Sequence, residues 1–242
     1  MALDVKKSQI ANCFTCQNRS HTEWCVLTND ELSRFNGTKA SREYLPGEVI
    51  FHEGDPCVGV HCLESGLVGF RKFDVDGNST LLALAYPGRT LGYRAFLAGE
   101  DHSTTAEALK PSRVCFIDRA TVRGLLDHNP ALGFQFLRTV SRDLGEVEVK
   151  FHQGVTMSVR ARFLHLLLVL KDRYATVTDN GSMTLELPLS RQDLAAMIGT
   201  RPETLARTIR QIENDGIARF SGRIMTAPSI HALLDELALE HC

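Results

Sequence analysis

Apolar positions change their spacing twice along the chain. From about Tyr44 onward, short apolar segments such as Val49-Ile50-Phe51 and Val68-Gly69-Phe70 are separated by turn signals roughly every ten residues. Those signals are Pro46-Gly47, Glu53-Gly54-Asp55-Pro56, Ser65-Gly66, Asp76-Gly77-Asn78, Pro87-Gly88 and Gly99-Glu100-Asp101. The pattern predicts an antiparallel β-barrel or roll, with Arg113-Val114-Cys115-Phe116-Ile117 as its last long strand. Helical spacing then takes over: Leu137, Val140, Leu144, Val147 and Phe151 follow alternating steps of three and four, two heptads of an a/d seam flanked by Arg138, Arg142, Glu146, Glu148 and Lys150. Such a helix either packs on its own roll or pairs with a second copy. Pairing is preferred, because the helix joins two differently patterned halves that leave little local surface to bury it. A further helix over about 157–174 and a polar loop over 176–182 follow.

The last third predicts two short helices joined by a glycine turn. Ser190 caps the first and Gly199 ends it; Thr200 and Glu203 are spaced for a capping box on the second, with Pro202 tolerated in its first turn. Leu205, Ile209 and Ile212 form its inward stripe, and Asp215-Gly216 stops it. Alternation from Ile217 to Met225 around Ser221-Gly222 reads as a β-hairpin wing, and an amphipathic helix from Ser229 to about Leu239 closes the chain. This is a helix-turn-helix signature. With the stripe inward, Glu203, Ala206, Arg207 and Arg210 share the outer face. An arginine fork matches guanine O6 and N7, and a glutamate accepts from cytosine N4, each good pair being worth about 1–3 kcal/mol of discrimination. A surface ion pair between Glu203 and Arg207 is the plainer alternative, worth about 0.2–0.5 kcal/mol. Arg201 and Arg223, at the helix start and the wing, are placed for phosphates. The expected partner is a palindromic double-stranded DNA site read by a homodimer.

Composition narrows the remaining classes. Apolar content of 43% and charged content of 23% are those of a globular chain. A net charge of -2 makes any basic surface local. The start from Met1 to Gln9 has no apolar stretch of a signal peptide, and the apolar run Phe163–Leu170 is far short of a membrane span, so a cytoplasmic protein is expected. Seven cysteines in that setting point to metal binding before disulfides. Three of them, Cys13-x2-Cys16-x8-Cys25, precede the first periodic segment, and the expected fourth partner is Cys115. No Gly-x-Ser-x-Gly, P-loop, HExxH or dinucleotide fingerprint occurs, which argues against an enzyme.

In its whole order of parts the chain resembles the Crp–Fnr superfamily of bacterial transcription regulators. Pro202-Glu203-Thr204-Leu205-Ala206-Arg207 is similar to the Glu-Thr-x-Ser-Arg reader of its oxygen-sensing Fnr branch, with Ala206 where the serine belongs. The resemblance implies an α+β chain: a cysteine-rich sensor arm (1–28), a cyclic-nucleotide-binding-like β-roll (29–128), a dimerisation helix (129–156) and a winged helix-turn-helix (157–242). It implies that Glu203 and Arg207 read a central G·C pair, that RNA polymerase is a partner, and, through the turn at Asp76-Gly77-Asn78, that activation is favoured. Cyclic-nucleotide binders carry Gly-Glu-Leu and Arg-Ser/Thr where this chain has Gly92-Tyr93-Arg94 and His102-Ser103-Thr104, so no cAMP is expected.

The Fnr branch holds a [4Fe–4S] cluster with three arm cysteines and one from the roll, which implies Cys13, Cys16, Cys25 and Cys115, the last in the similar context Val114-Cys115-Phe116-Ile117. Four thiolates also suit tetrahedral zinc. One close pair, a looser third and a distant partner fit a cluster better than the two short-spaced pairs usual for zinc. A thiol redox switch, or haem on His52, His61 or Cys62, remains as an alternative sensor. Cys57 and Cys62 read as core residues, with Cys62 in reserve as a ligand; His21 reads as solvated and Cys242 as idle. The expected signal is oxygen or nitric oxide, and a cluster would clip a mobile arm onto the roll beside the dimer helix.

Overall fold

A computed structural model describes residues 12–178 and 181–239. The chain folds as two compact units, the first reaching to Leu144 and the second starting at Gly145.

In unit 1, two single-turn 3-10 helices (Arg19–His21 and Glu23–Val26) lead into α1 (Asn29–Thr38). The helix starts where the sequence can close a capping box: the Thr28 hydroxyl accepts from the Glu31 amide while the Glu31 carboxylate accepts from the Thr28 amide at 2.8 Å. The roll follows as β1 (Ala40–Tyr44), β2 (Val49–Phe51), β3 (Gly59–Phe73), β4 (Ser79–Ala85), β5 (Thr90–Leu91), α2 (Tyr93–Ala98) and β6 (Thr105–Asp118). The strands pair antiparallel in the order β1-β6-β3-β4, with β2 on β6 and β5 on β3. Then come α3 (Arg119–His128) and α4 (Pro130–Thr156), whose residues from Gly145 onward belong to unit 2. One face of α4, carrying Leu132 and Phe136, is buried in the same cluster as Trp24, Leu32, Phe35 and Val122.

Unit 2 contains α5 (Val159–Tyr174), β7 (Ala175–Val177), β8 (Met183–Glu186), α6 (Arg191–Met197), α7 (Pro202–Asn214), β9 (Arg219–Ser221), β10 (Ile224–Ala227) and α8 (Ile230–Leu239). Its antiparallel sheet runs β7-β8-β10-β9.

Four local expectations differ. Ser65-Gly66 is no turn: β3 continues through it, and the register against β6 slips between Leu63 and Val68, so the glycine (φ 102°) serves a bulge. The stretch 176–182 is not all loop, because Thr176 and Val177 pair with Thr184 and Met183 as one arm of a hairpin. Thr200 does not cap α7. The N-cap is Arg201, which brings Pro202 to the first helical position, where a missing amide hydrogen costs nothing. The largest difference concerns the arm. Over its described residues it is a docked part of unit 1, not a separate segment: Trp24 is 2% exposed, and the Asn18 amide donates to the Glu64 carbonyl on β3 at 2.7 Å.

Candidate functional site

The arm is held to the roll at both ends. The Cys13 amide donates to Asn36 Oδ1 on α1 at 2.8 Å, and Asn129 Nδ2 donates to the Val26 carbonyl at 3.3 Å. Between them the Trp24 indole packs on Phe35 (centroids 4.6 Å apart) and edge-on to Phe136 of α4 (5.4 Å). Fully burying aromatic side chains of this size is worth about 1.5–3 kcal/mol each. A polar chain runs beside the rings. Trp24 Nε1 donates to Thr90 Oγ1 (3.2 Å), and Thr90 Oγ1 donates to Glu23 Oε2 (2.7 Å). The Thr139 hydroxyl of α4 donates to Glu23 Oε1 (2.6 Å). All three polar residues are buried, so each hydroxyl and carboxylate oxygen depends on these partners. One turn further along α4, Asp143 accepts from Arg89 Nη2 (2.6 Å) and from the Tyr93 hydroxyl.

Under the arm lies a cavity lined by Cys13, Cys16, Cys62 and Cys115, with Arg19 and Lys39 at its wall. Cys115 on β6 is directly opposite Ser41 on β1, whose hydroxyl is 3.2 Å from Sγ. On its other side Cys115 is directly opposite Cys62 on β3. Burial pushes the thiols of Cys13, Cys62 and Cys115 up from the usual range, Cys62 furthest; Lys39 partly offsets the effect at Cys13 and Cys115. The structure therefore brings Cys13, Cys16 and Cys115 together. It does not bring Cys25 to this cavity: Cys25 is exposed on the turn whose Trp24 points inward. It also moves Cys62 from expected core residue to cavity wall, while Cys57 is buried in the core. His21 is exposed, and Cys242 lies outside the described residues.

Among the described residues, no group of three or more His, Cys, Asp or Glu side chains converges closely enough to hold a single metal ion. The wall of the cavity holding the four thiols carries two cations, Arg19 and Lys39, and one carboxylate, Glu64. His61 and Cys62 cannot serve one haem iron together, because successive strand residues point to opposite faces. His61 packs between Phe51 and Phe116, and burial together with the nearby His102 lowers its imidazole to about 4. His52 is exposed.

In unit 2, the Ser190 hydroxyl accepts from the Asp193 amide to start α6, and Gly199 (φ 64°) makes the turn into α7. Leu205, Ile209 and Ile212 are buried together with Thr208, whose hydroxyl donates back to the Thr204 carbonyl at 3.0 Å. Glu203, Ala206, Arg207 and Arg210 are all exposed, as are Arg201 and Arg223. No ion pair among the described residues joins Glu203 to Arg207. The wing forms with Ile224 opposite Ser221. Arg191, which the sequence pattern does not single out, lies over the Phe220 ring (5.1 Å to its centroid) and donates to the Gly222 carbonyl at 3.3 Å, bracing the wing against α6.

On α4 the seam residues are open to solvent: Leu137 is 59% exposed, Val140 38%, Leu144 58%, Val147 62% and Phe151 74%. No helix among the described residues is long and apolar enough to cross a membrane.

Comparison with known proteins agrees with both halves. Residues 41–129 match the cyclic nucleotide-binding domain family and residues 161–236 the Crp-like helix-turn-helix domain family. The chain belongs to the Crp–Fnr superfamily and is a DNA-binding transcription regulator rather than an enzyme. It is 23% identical to an anaerobic regulatory protein of Pasteurella multocida, over 95% of this chain and 85% of that one. It is 27% identical to the nitrogen fixation regulation protein FixK of Bradyrhizobium diazoefficiens, over 88% of each. The solved structure of FixK2 from Bradyrhizobium japonicum superposes with a TM-score of 0.69 at 23% identity, covering 81% of this chain and 96% of that one.

Proposed function

We propose that this regulator is a homodimer that binds palindromic DNA under control of a [4Fe–4S] cluster held by cysteines of the arm and the roll. The observation that carries the reading is the shared cavity, where thiols from the arm (Cys13, Cys16) and from the strand β6 (Cys115) line one space. Relatives named as anaerobic regulators support a signal tied to oxygen. When bound, the cluster supplies an iron–sulfur centre sensitive to oxygen and nitric oxide.

The chain's own residues supply the route onward. Glu23 and Trp24 sit between the cavity and α4, gripping Thr139 and Phe136, so displacement of the arm is felt on the helix that carries the seam. The exposed stripe Leu137, Val140, Leu144, Val147 and Phe151 is the pairing face, and an apolar a/d stripe of two heptads is buried by a second α4. The half-sites of a palindrome lie one helical turn of DNA apart, roughly 34 Å, one for each copy of α7. Every seam residue is apolar, so nothing in the seam opposes pairing in the cluster-free state, and a switch by reorientation is favoured over one by dissociation. RNA polymerase is the further partner, and the turn Asp76-Gly77-Asn78 is the surface offered to it. No cAMP is required, because the turn Gly92-Tyr93-Arg94 and the segment His102-Ser103-Thr104 lack the glutamate and arginine that hold ribose and cyclic phosphate.

The test is purification without oxygen, with a visible spectrum, iron and sulfide assays, and DNA affinity before and after exposure to air. A brown protein that bleaches in air and changes its DNA affinity is expected, with equal sedimentation of the two forms. A colourless protein carrying zinc, or no metal, overturns the cluster.

A further inference from the structure

Cys62 and Cys115 are directly opposite residues of β3 and β6. Directly opposed residues of an antiparallel pair project from the same face with Cβ atoms about 4.5–5.5 Å apart. Their neighbours Leu63 and Val114 point the other way, into the core that also holds Leu91 and Ala106. The two thiols therefore leave the sheet together, toward the arm that covers this face. Cys13 and Cys16 meet them there on the same cavity. Cys25 does not. It follows Trp24 in the 3-10 turn Glu23–Val26, and Trp24 is fixed inward by Phe35, Phe136 and Thr90, which leaves the Cys25 side chain in solvent.

Resting on the cluster reading above, we infer that the ligand set is Cys13, Cys16, Cys62 and Cys115, and that Cys25 is a free thiol outside it. The set draws one pair from the arm and one from adjacent strands, so the cluster bridges two covalently distant segments with two bonds to each. Arg19 and Lys39 in the wall offset part of the negative charge that four thiolates would add to that of Glu64, which lines the same cavity.

The experiment uses the full chain purified or reconstituted without oxygen. Iodoacetamide is applied to the iron-loaded protein, with peptide mapping by mass spectrometry and iron and the visible spectrum followed in parallel. Cys25 is expected to alkylate with no loss of iron or colour. Cys25→Ser is expected to bind as much iron as the wild type, and Cys62→Ser to lose most of its iron, as Cys115→Ser does, with unchanged circular dichroism. The inference is overturned if alkylation of Cys25 is blocked by the cluster or expels iron, or if Cys25→Ser loses iron while Cys62→Ser keeps it. Should Cys62→Ser fail to fold, the alkylation of unmutated protein decides alone. A wild-type protein that takes up no iron is a different failure: it removes the cluster reading, and the ligand set with it.

Discussion

The two ends of this regulator treat polar chemistry in opposite ways. In unit 1 four thiols line a cavity, burial disfavours the charged forms of Cys13, Cys62 and Cys115, and Glu23, Thr90 and Thr139 satisfy one another away from water. In unit 2 the groups proposed to read DNA are turned outward, and Glu203, Arg207 and Arg210 carry their charges into solvent. The difference follows from what each must meet. A sensor that answers to a small group needs an enclosed site whose filling moves packed side chains. A reader that answers to a polyanion needs charges left over for it. Desolvation is therefore a structural cost at one end and is deferred until binding at the other.

The sharpest break in this contrast comes from Trp24. If the arm is part of the packed core, Trp24→Ala leaves a cavity between Phe35 and Phe136 and strands Thr90, and should cost about 3–5 kcal/mol of unit 1 stability. Phe14→Ala, on the same arm but 48% exposed, should cost less than about 0.5 kcal/mol. Urea unfolding of the metal-free variants checks both. Equal midpoints would mean the arm is an appendage, and the route from cavity to α4 would fail with it.

The same contrast explains what could be read beforehand. The reader is local: the Ser190 cap, the Gly199 turn, the stripe Leu205, Ile209 and Ile212 and the wing lie within forty residues of one another and follow helical or alternating periods. Two of its details differ from the pattern: β7 lies where a loop is expected, and Arg201 replaces Thr200 as the cap because Pro202 fits the first helical position better than the second. The sensor is non-local. Cys62 and Cys115 become neighbours only through the register of β3 and β6, which the bulge at Gly66 shifts and no period reveals. Trp24 gives no signal of its own because its partners Phe35, Thr90 and Phe136 are scattered along the chain. One signal was available: Thr28 and Glu31 at capping-box spacing, followed by Leu32 and Phe35, announce α1 and hence a folded arm.

At the outward end, Arg207→Ala sharpens the comparison next. A side chain with no ion-pair partner among the described residues contributes little to folding, so stability should stay within about 0.5 kcal/mol of the parent. Affinity for the palindromic site should fall by about 1–3 kcal/mol, roughly 5- to 150-fold in Kd, with discrimination lost at one G·C pair of each half-site. Fluorescence anisotropy against sites substituted one pair at a time measures this. A loss spread evenly over all sequences would make Arg207 a phosphate-binding residue and leave base reading to its neighbours.

Arg223 should show the smaller and complementary effect. It lies at the wing turn between β9 and β10, exposed, while Arg191 and the Phe220 ring hold the wing in place from within. Removing its charge takes away attraction to the DNA backbone but no hydrogen bond to a base. Arg223→Ala should therefore weaken specific and non-specific sites alike. The slope of log affinity against log salt should become shallower by about 0.9 for each phosphate that is no longer neutralised. Binding isotherms on one specific and one scrambled duplex, each at several salt concentrations, separate the two behaviours. If the weakening is confined to the specific duplex and the slope is unchanged, the wing reads bases, and α7 shares that task with it instead of holding it alone.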